Sequence, residues 1–387
     1  LDAKKVIIGF DARETSKRFA KIASQGVIDY GSDVLEIGIA GTEEMYCAVN
    51  QFSACAGIEV TASHNPLEYN GLKMVKYGAA PLDNEIELPR IKEMAENGIW
   101  LDGEKGEYKN ISHLARSNYV NKVLSFVDLA FSKSVKVVVN CGNGAAGPAL
   151  SEIRKKISLI NKGIIFYEFL NEPDPSFPNG IPNPLLKENQ ELTGSFVRQK
   201  KADFGVAFDG DFDRCFFFDG FGNFVPGEYI VGLLAESFLI SNEDANVIYD
   251  PRVIWNTEDI IRNTGGNGIL SRSGHSYFKA SMRKSNAIYG GEISAHHYFR
   301  DFYYCDSGMI AFLLMLDFLG KSNRNLEEII NERVAKFPSS GEVNFKVADP
   351  DKVIALMIER FSSGSAVDKI DGVSFSFKNW RFNIRKS

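Results

Sequence analysis

The sequence predicts a multi-domain α/β protein: three related α/β domains with mixed sheets, followed by a partial C-terminal α+β domain. Three observations point there. Short β-branched runs alternate with helical patterns through most of the 387 residues, the signature of parallel strands covered by helices. Three times an apolar strand ends in an Asp with an Arg close behind, in GFDAR at 9–13, AFDGDFDR at 207–214 and YDPR at 249–252. Beyond Phe337 the composition changes to VNFKV, VSFSF and RFNI around a single helical stretch.

Taken in order, residues 5–9 (KVIIG) predict a strand, 16–30 a helix, 34–39 a strand, 42–52 a helix and 57–61 a strand entering a loop. A second series opens with a strand at 135–140, and a third with a strand at 246–249 after a helix at 228–240. A helix at 352–361 belongs to the last unit. At roughly 150 residues per domain the length allows two to four domains. The expected divisions are 1–112, 113–223, 224–336 and 337–387. The chain starts without Met and stops just after a strand, so segments are expected to be missing at both ends.

Composition narrows the function. Hydrophobic residues at 44% and charged residues at 24% describe an ordinary globular protein, which excludes disorder and coiled coil as the main architecture. The net charge is -6 and no run of Lys and Arg stands out, which argues against nucleic acid and anionic membranes as partners. Five scattered cysteines without a CxxC pair argue against a disulfide framework or zinc site and for a reducing, cytoplasmic setting. The apolar run 309–320 is broken by Asp317 and falls short of the ~20 residues a membrane span needs. It predicts a buried helix.

Four segments could carry chemistry. Gly142, Gly144 and Gly147 spell GxGxxG between a strand and a helix, with Glu168 further on, as a dinucleotide fingerprint asks. The plainer reading is a tight turn. In DGDFDR, Asp209, Asp211 and Asp213 alternate between two apolar runs. That spacing sends three carboxylates to one side, where a hard divalent cation takes one oxygen from each. Arg214 stands where an EF-hand needs Gly, so this is a different loop. Three carboxylates outweigh a dication, so a Mg²⁺ there would act mainly as a bridge to a phosphoryl oxygen, with Arg214 and other cations balancing the excess charge. TASHNP at 61–66 offers Ser63, with His64 beside it. Ser63 carrying a phosphoryl group would partner a metal. In GGEISAHHYFRD at 290–301, Glu292, Ser294 and His296 share a strand parity that His297 does not, and such groups suit vicinal sugar hydroxyls and a proton shuttle.

These segments in this order, with GTEEMY, EVTASHNPLEYNGLK, FPNGIPNPL, SRSGHSYFK and WRFNIRKS, resemble the α-D-phosphohexomutase superfamily and, among its branches, the bacterial phosphomannomutases. The resemblance covers nearly the whole chain. It implies domains arranged around a central cleft. It implies that Ser63 carries the phosphoryl group and that Asp209, Asp211 and Asp213, with Ser63, hold Mg²⁺. It makes Arg214 a charge-balancing group and Lys73, His296 and His64 catalytic candidates. Glu292, Ser294 and His275 would bind the sugar, and Arg385 and Ser387 its distal phosphate. It makes the GxGxxG loop a structural turn and leaves no dinucleotide to bind. Two departures stand out: a preceding Tyr-Asp-Ile-Arg-Gly segment, and the Asn-Thr-Glu-Pro continuation after Ser387, are not in the sequence. Ala295 replaces the Gly of many relatives.

The expected reaction is reversible transfer of a phosphoryl group between the 6- and 1-positions of mannose. It passes through phospho-Ser63 and a hexose 1,6-bisphosphate, which also serves as activator, and feeds a GDP-mannose route. Positioning and charge neutralisation do most of the work in such a transfer. The alternatives are a phosphoglucomutase or dual enzyme, a binding-only sugar-phosphate protein, and the oxidoreductase that GxGxxG suggests.

Overall fold

The structure is a computed structural model and describes residues 5–98 and 104–386. Its contacts separate into two compact units, Leu1–Val225 with Asp301–Glu327, and Pro226–Arg300 with Glu328–Ser387.

The first unit contains two sheets. Strands β1 (Lys5–Phe10), β2 (Asp33–Ile39), β3 (Ala56–Val60), β4 (Leu72–Lys76), β5 (Ala80–Pro81) and β6 (Tyr108–Asn110) form one, in the order β5-β4-β3-β1-β2-β6. β1 runs parallel to β2 and β3, whereas β4 pairs antiparallel with β3. The antiparallel edge makes this a mixed sheet, as the fold class read from the sequence expects. The link from β3 to β4 carries the Ser63 loop and no helix, and a parallel return needs a crossover of a dozen or more residues, usually helical. Ile7, Ile8, Val34 and Val60 are fully buried, so truncating one such side chain to Ala costs about 2–5 kcal/mol. The helix Ser16–Asp29 turns Ala20 onto the face shared by Val6 and Ile8.

Strands β7 (Val135–Asn140), β8 (Ile164–Phe169), β9 (Phe204–Phe208), β10 (Cys215–Phe218) and β11 (Phe224–Val225) form the second sheet, ordered β11-β10-β9-β7-β8. β7 is parallel to β8 and β9, and β9 and β10 form an antiparallel hairpin. Both hairpin strands are completely buried, which fixes the tip between them, residues 209–214. The apolar run forms the helix Gly308–Lys321, N-capped by the Ser307 hydroxyl, which accepts from Ile310 N. Among the described residues no helix is long and apolar enough to cross a membrane.

In the second unit, β12 (Asn246–Tyr249), β13 (Asn267–Leu270), β14 (Tyr289–Gly291) and β15 (His297–Phe299) stand in the order β13-β12-β14-β15. β12 is parallel to β13 and β14, and β14 and β15 form a hairpin. A short strand, β16 (Cys305–Asp306), follows in the returning part of the first unit. The C-terminal part of the second unit is an antiparallel sheet of β17 (Ala366–Asp368), β18 (Val373–Ser376) and β19 (Arg381–Ile384). The helix Pro350–Phe361 packs Phe361 edge-on to Phe382, centroids 5.2 Å apart. VNFKV is not a strand here. Val343, Phe345 and Val347 are 63, 80 and 44% exposed, and an alternating pattern makes a strand only where a sheet edge and a buried face receive it.

Candidate active site

Ser63 lies on the loop leaving the C-terminal end of β3, and its backbone has φ 50°. A left-handed conformation costs a non-glycine residue about 1–2 kcal/mol, so the surroundings must impose it. Arg13 does so. One guanidinium nitrogen donates to Pro66 O at 2.8 Å and Tyr69 O at 3.1 Å, the other to Ser63 O at 2.9 Å and Asn65 O at 2.5 Å. From below, Ser63 N donates to Thr61 Oγ1 at 2.8 Å, and Thr61 Oγ1 donates to Asp11 Oδ2 at 2.7 Å. Sequence reading noted the Asp-Arg repeat at 11–13 but gave Arg13 no place in the site. Its partners are backbone carbonyls, which no residue spacing reveals.

The tip of the β9–β10 hairpin meets this loop. Ser63 Oγ donates to Asp209 Oδ2 at 2.6 Å. Gly210 makes the approach possible, since a Cβ there would stand 2.5 Å from Ser63 O. Gly144 backs onto the same tip: Ala145 N donates to Gly210 O at 3.0 Å, and a Cβ on Gly144 would stand 2.7 Å from that oxygen. Close packing thus accounts for the middle glycine of GxGxxG.

Asp209, Asp211 and Asp213 are buried, and each offers a carboxylate oxygen within 4.8 Å of the others. Arg214 donates from Nε to Asp209 Oδ2 at 3.0 Å and from Nη2 to Ser63 Oγ at 3.3 Å. Lys73 Nζ donates to Asp211 Oδ2 at 2.6 Å and to Asp213 Oδ2 at 2.5 Å. Thr42 Oγ1 donates to Asp211 Oδ2 at 2.6 Å. Burial pushes the Asp211 carboxyl up, yet the Lys73 charge and the bonds from Lys73 and Thr42 together hold it well below the usual range. Asp213 is pushed up, first by burial and then by Asp211. Burial also disfavours charge on Lys73, but Asp211 and Asp213 outweigh it and raise its pKa. Asp211 Oδ1 is buried and accepts no hydrogen bond. A buried acceptor without a donor is costly, and the hard oxygen set around it fits a divalent cation.

His64 Nδ1 lies 3.1 Å from Ser63 Oγ and contacts Arg214 Nη2. Burial, then the Arg214 charge, lowers its pKa, so it is an uncharged neighbour of the serine hydroxyl. The structure therefore brings Ser63, His64, Lys73, Arg214 and the three aspartates together.

The second unit gathers the sugar-binding candidates. Glu292 accepts from Tyr298 Oη at 2.6 Å and from Gly274 N at 2.9 Å, which ties it to the residue preceding His275. Gly274 has φ 115°, a conformation glycine alone adopts easily. Ser294 Oγ lies 3.2 Å from His296 Nδ1, and His296 Nδ1 lies 3.8 Å from Glu292 Oε1. His297 is fully buried against the Tyr289 hydroxyl, 2.8 Å from its Nδ1. Burial takes its pKa down to about 3. Arg252 pairs with Asp250 at 2.8 Å and lies 3.8 Å from Glu292, and Lys279, one turn after His275, is fully buried. Arg252 belongs to the Asp-Arg repeat seen in the sequence, which gives it no role in the site, and the sequence offers no signal for Lys279. Arg385 pairs with Asp371 at 3.0 Å. Ser387 lies outside the described residues.

Two loops at the C-terminal ends of strands thus meet, one presenting a hydroxyl and the other three carboxylates. Residues 1–100, 117–222 and 226–337 match phosphoglucomutase/phosphomannomutase α/β/α domains I, II and III respectively. The chain is 46% identical to a phosphomannomutase of Salmonella montevideo and 45% identical to one of Escherichia coli K12, covering 100% of this chain and 85% of each relative. A solved phosphoglucomutase/phosphomannomutase family protein from Burkholderia thailandensis superposes with TM-score 0.87 at 25% identity, over 99% of this chain and 82% of that one. The chain belongs to the phosphoglucomutase/phosphomannomutase family.

Proposed function

We propose that the protein is a phosphomannomutase, interconverting mannose 6-phosphate and mannose 1-phosphate through a phosphorylated Ser63 and a hexose 1,6-bisphosphate. Full-length identity to phosphomannomutases supports the reaction. The observation that carries the chemistry is the 2.6 Å contact between Ser63 Oγ and Asp209 Oδ2, because it puts the hydroxyl within the oxygen set of the carboxylate triad.

Ser63 is the phosphoryl carrier. Asp209, Asp211 and Asp213 would hold Mg²⁺ together with an oxygen on Ser63. Bound there, the ion neutralises charge on the transferring group. Arg214, donating at 3.3 Å to Ser63 Oγ, orients that oxygen and balances the same charge. Arg13 fixes the loop by its backbone. His64 flanks the serine oxygen with its Nδ1, and Lys73, held on Asp211 and Asp213, serves to hold or give a proton. No strong base is needed, since phosphoryl transfer depends on positioning and electrostatics.

Glu292 and Ser294 bind sugar hydroxyls, with His296 as a proton-transfer partner and His275 beside them. Arg385 and Ser387 receive the distal phosphate, and a hexose 1,6-bisphosphate primes the serine. We further propose the domain divisions 1–112, 113–223, 224–336 and 337–387, a hexose phosphate as substrate with no nucleic-acid, membrane or dinucleotide partner, and a cytoplasmic setting. The thiols Cys47, Cys55, Cys141 and Cys215, none of them in a disulfide, support a reducing compartment.

The test is turnover of mannose 6-phosphate with Mg²⁺, for the protein and for Ser63→Ala. The expected result is activity that the substitution abolishes. Equal rates would remove Ser63 from the mechanism.

A further inference from the structure

Glu59 is a buried carboxylate that the reaction does not use. It lies on β3, is 0% exposed, and neither of its oxygens has a hydrogen-bond partner. Its space is made by Gly9 on the neighbouring strand, where a Cβ would stand 2.3 Å from Glu59 Oε2. An acid of this kind is expensive to keep. An apolar residue would fill the place at less cost.

Its cross-strand partner is Lys73. The antiparallel register of β3 and β4 sets Glu59 opposite Lys73, so the two side chains leave the same face with Cβ atoms about 4.5–5.5 Å apart. Lys73 reaches away from Glu59 to the triad, 2.6 Å from Asp211 Oδ2 and 2.5 Å from Asp213 Oδ2. A divalent cation among the three carboxylates would draw on the same two aspartates that now hold Lys73. Cation and ammonium would share Asp211 and Asp213 and repel each other there, and a displaced ammonium needs another acidic partner.

We propose that Lys73 is a two-position residue, paired with Asp211 and Asp213 in one state and with Glu59 when a divalent cation occupies the triad. Glu59 acts as a positioning residue: it receives the lysine that cation binding expels. The proposal rests on reading the triad as a cation site. Loading the cation and moving a proton-bearing amine are then one event.

The experiment is calorimetric titration of Mg²⁺ into the full chain, its dephosphorylated state checked by intact mass, for wild type, Glu59→Gln, Lys73→Met and the double variant. Glu59→Met serves as a second probe should Glu59→Gln fold poorly. Glu59→Gln is expected to weaken Mg²⁺ by at least about fivefold, the lower end of ordinary coupling between sites. Lys73→Met is expected to tighten Mg²⁺, and in that background the Glu59 substitution should change nothing. Wild-type affinity in Glu59→Gln, or a Glu59 effect that persists without Lys73, overturns the two-position proposal and leaves the cation site standing. No binding by any of the four proteins overturns the cation site as well.

Discussion

Ser63 Oγ and Asp209 Oδ2 stand 2.6 Å apart although 146 positions separate them in the chain. Two loops from different sheets must be held to a few tenths of an ångström for that contact to form. The residues that hold them are mostly not the reacting ones, and they make the account testable.

Gly210 is the tightest of these. With Ser63 O 2.5 Å from the place of its missing Cβ, Gly210→Ala must push the two loops apart. Overpacking of this kind costs about 1–3 kcal/mol. We expect a lowered melting temperature and turnover reduced more than tenfold, as displacement of about an ångström does to positioned groups. A melting scan beside mannose 6-phosphate kinetics checks both.

Arg13 is 3% exposed and donates to four carbonyls of the Ser63 loop. Arg13→Ala leaves those carbonyls unpaired and should destabilise the protein by about 3 kcal/mol or more in urea unfolding. Arg13→Lys should rescue little, because a point-like ammonium cannot reproduce the planar fork.

Glu292 gives the pH dependence. Burial, then Asp250, raises its pKa from 4.5 to about 7. The unfolded carboxyl ionises first, so the stabilising contribution is full below about pH 4.5 and is lost as pH rises through about 7. The span corresponds to roughly 3 kcal/mol. Unfolding free energies measured between pH 4 and 8 should fall across that window in wild type relative to Glu292→Gln. Parallel curves would contradict the assignment.

The triad should make stability depend on divalent cations. At a Mg²⁺ concentration about a hundredfold above Kd, binding adds about 2.7 kcal/mol, seen as a raised melting temperature that a chelator reverses. In Asp211→Asn the rise should shrink severely, since this change removes an ionised ligand in the loop while nearly preserving its shape.

Much of this architecture was legible because it is periodic or local. The β-branched runs at 5–9, 34–39 and 135–140 became β1, β2 and β7: β1 and β7 are buried almost throughout and leave continuous apolar stretches, while β2 is buried only at Val34 and Ile37. The alternation of Asp209, Asp211 and Asp213 survives in the fold because the flanking strands are buried and pin the turn. VNFKV alternates as a strand does yet forms none, because alternation describes a strand's faces but does not supply its neighbour. Arg13 and Glu59 were hidden for a different reason. One works through backbone carbonyls and the other through strand register, and neither leaves a spacing to read.

The most direct measurement is intact mass before and after incubation with a hexose 1,6-bisphosphate, with the modified residue located by peptide mapping. The account predicts the gain of one phosphoryl group, on Ser63, and no gain in Ser63→Ala. A group on another side chain, or an unchanged mass in a protein that turns over substrate, would contradict it.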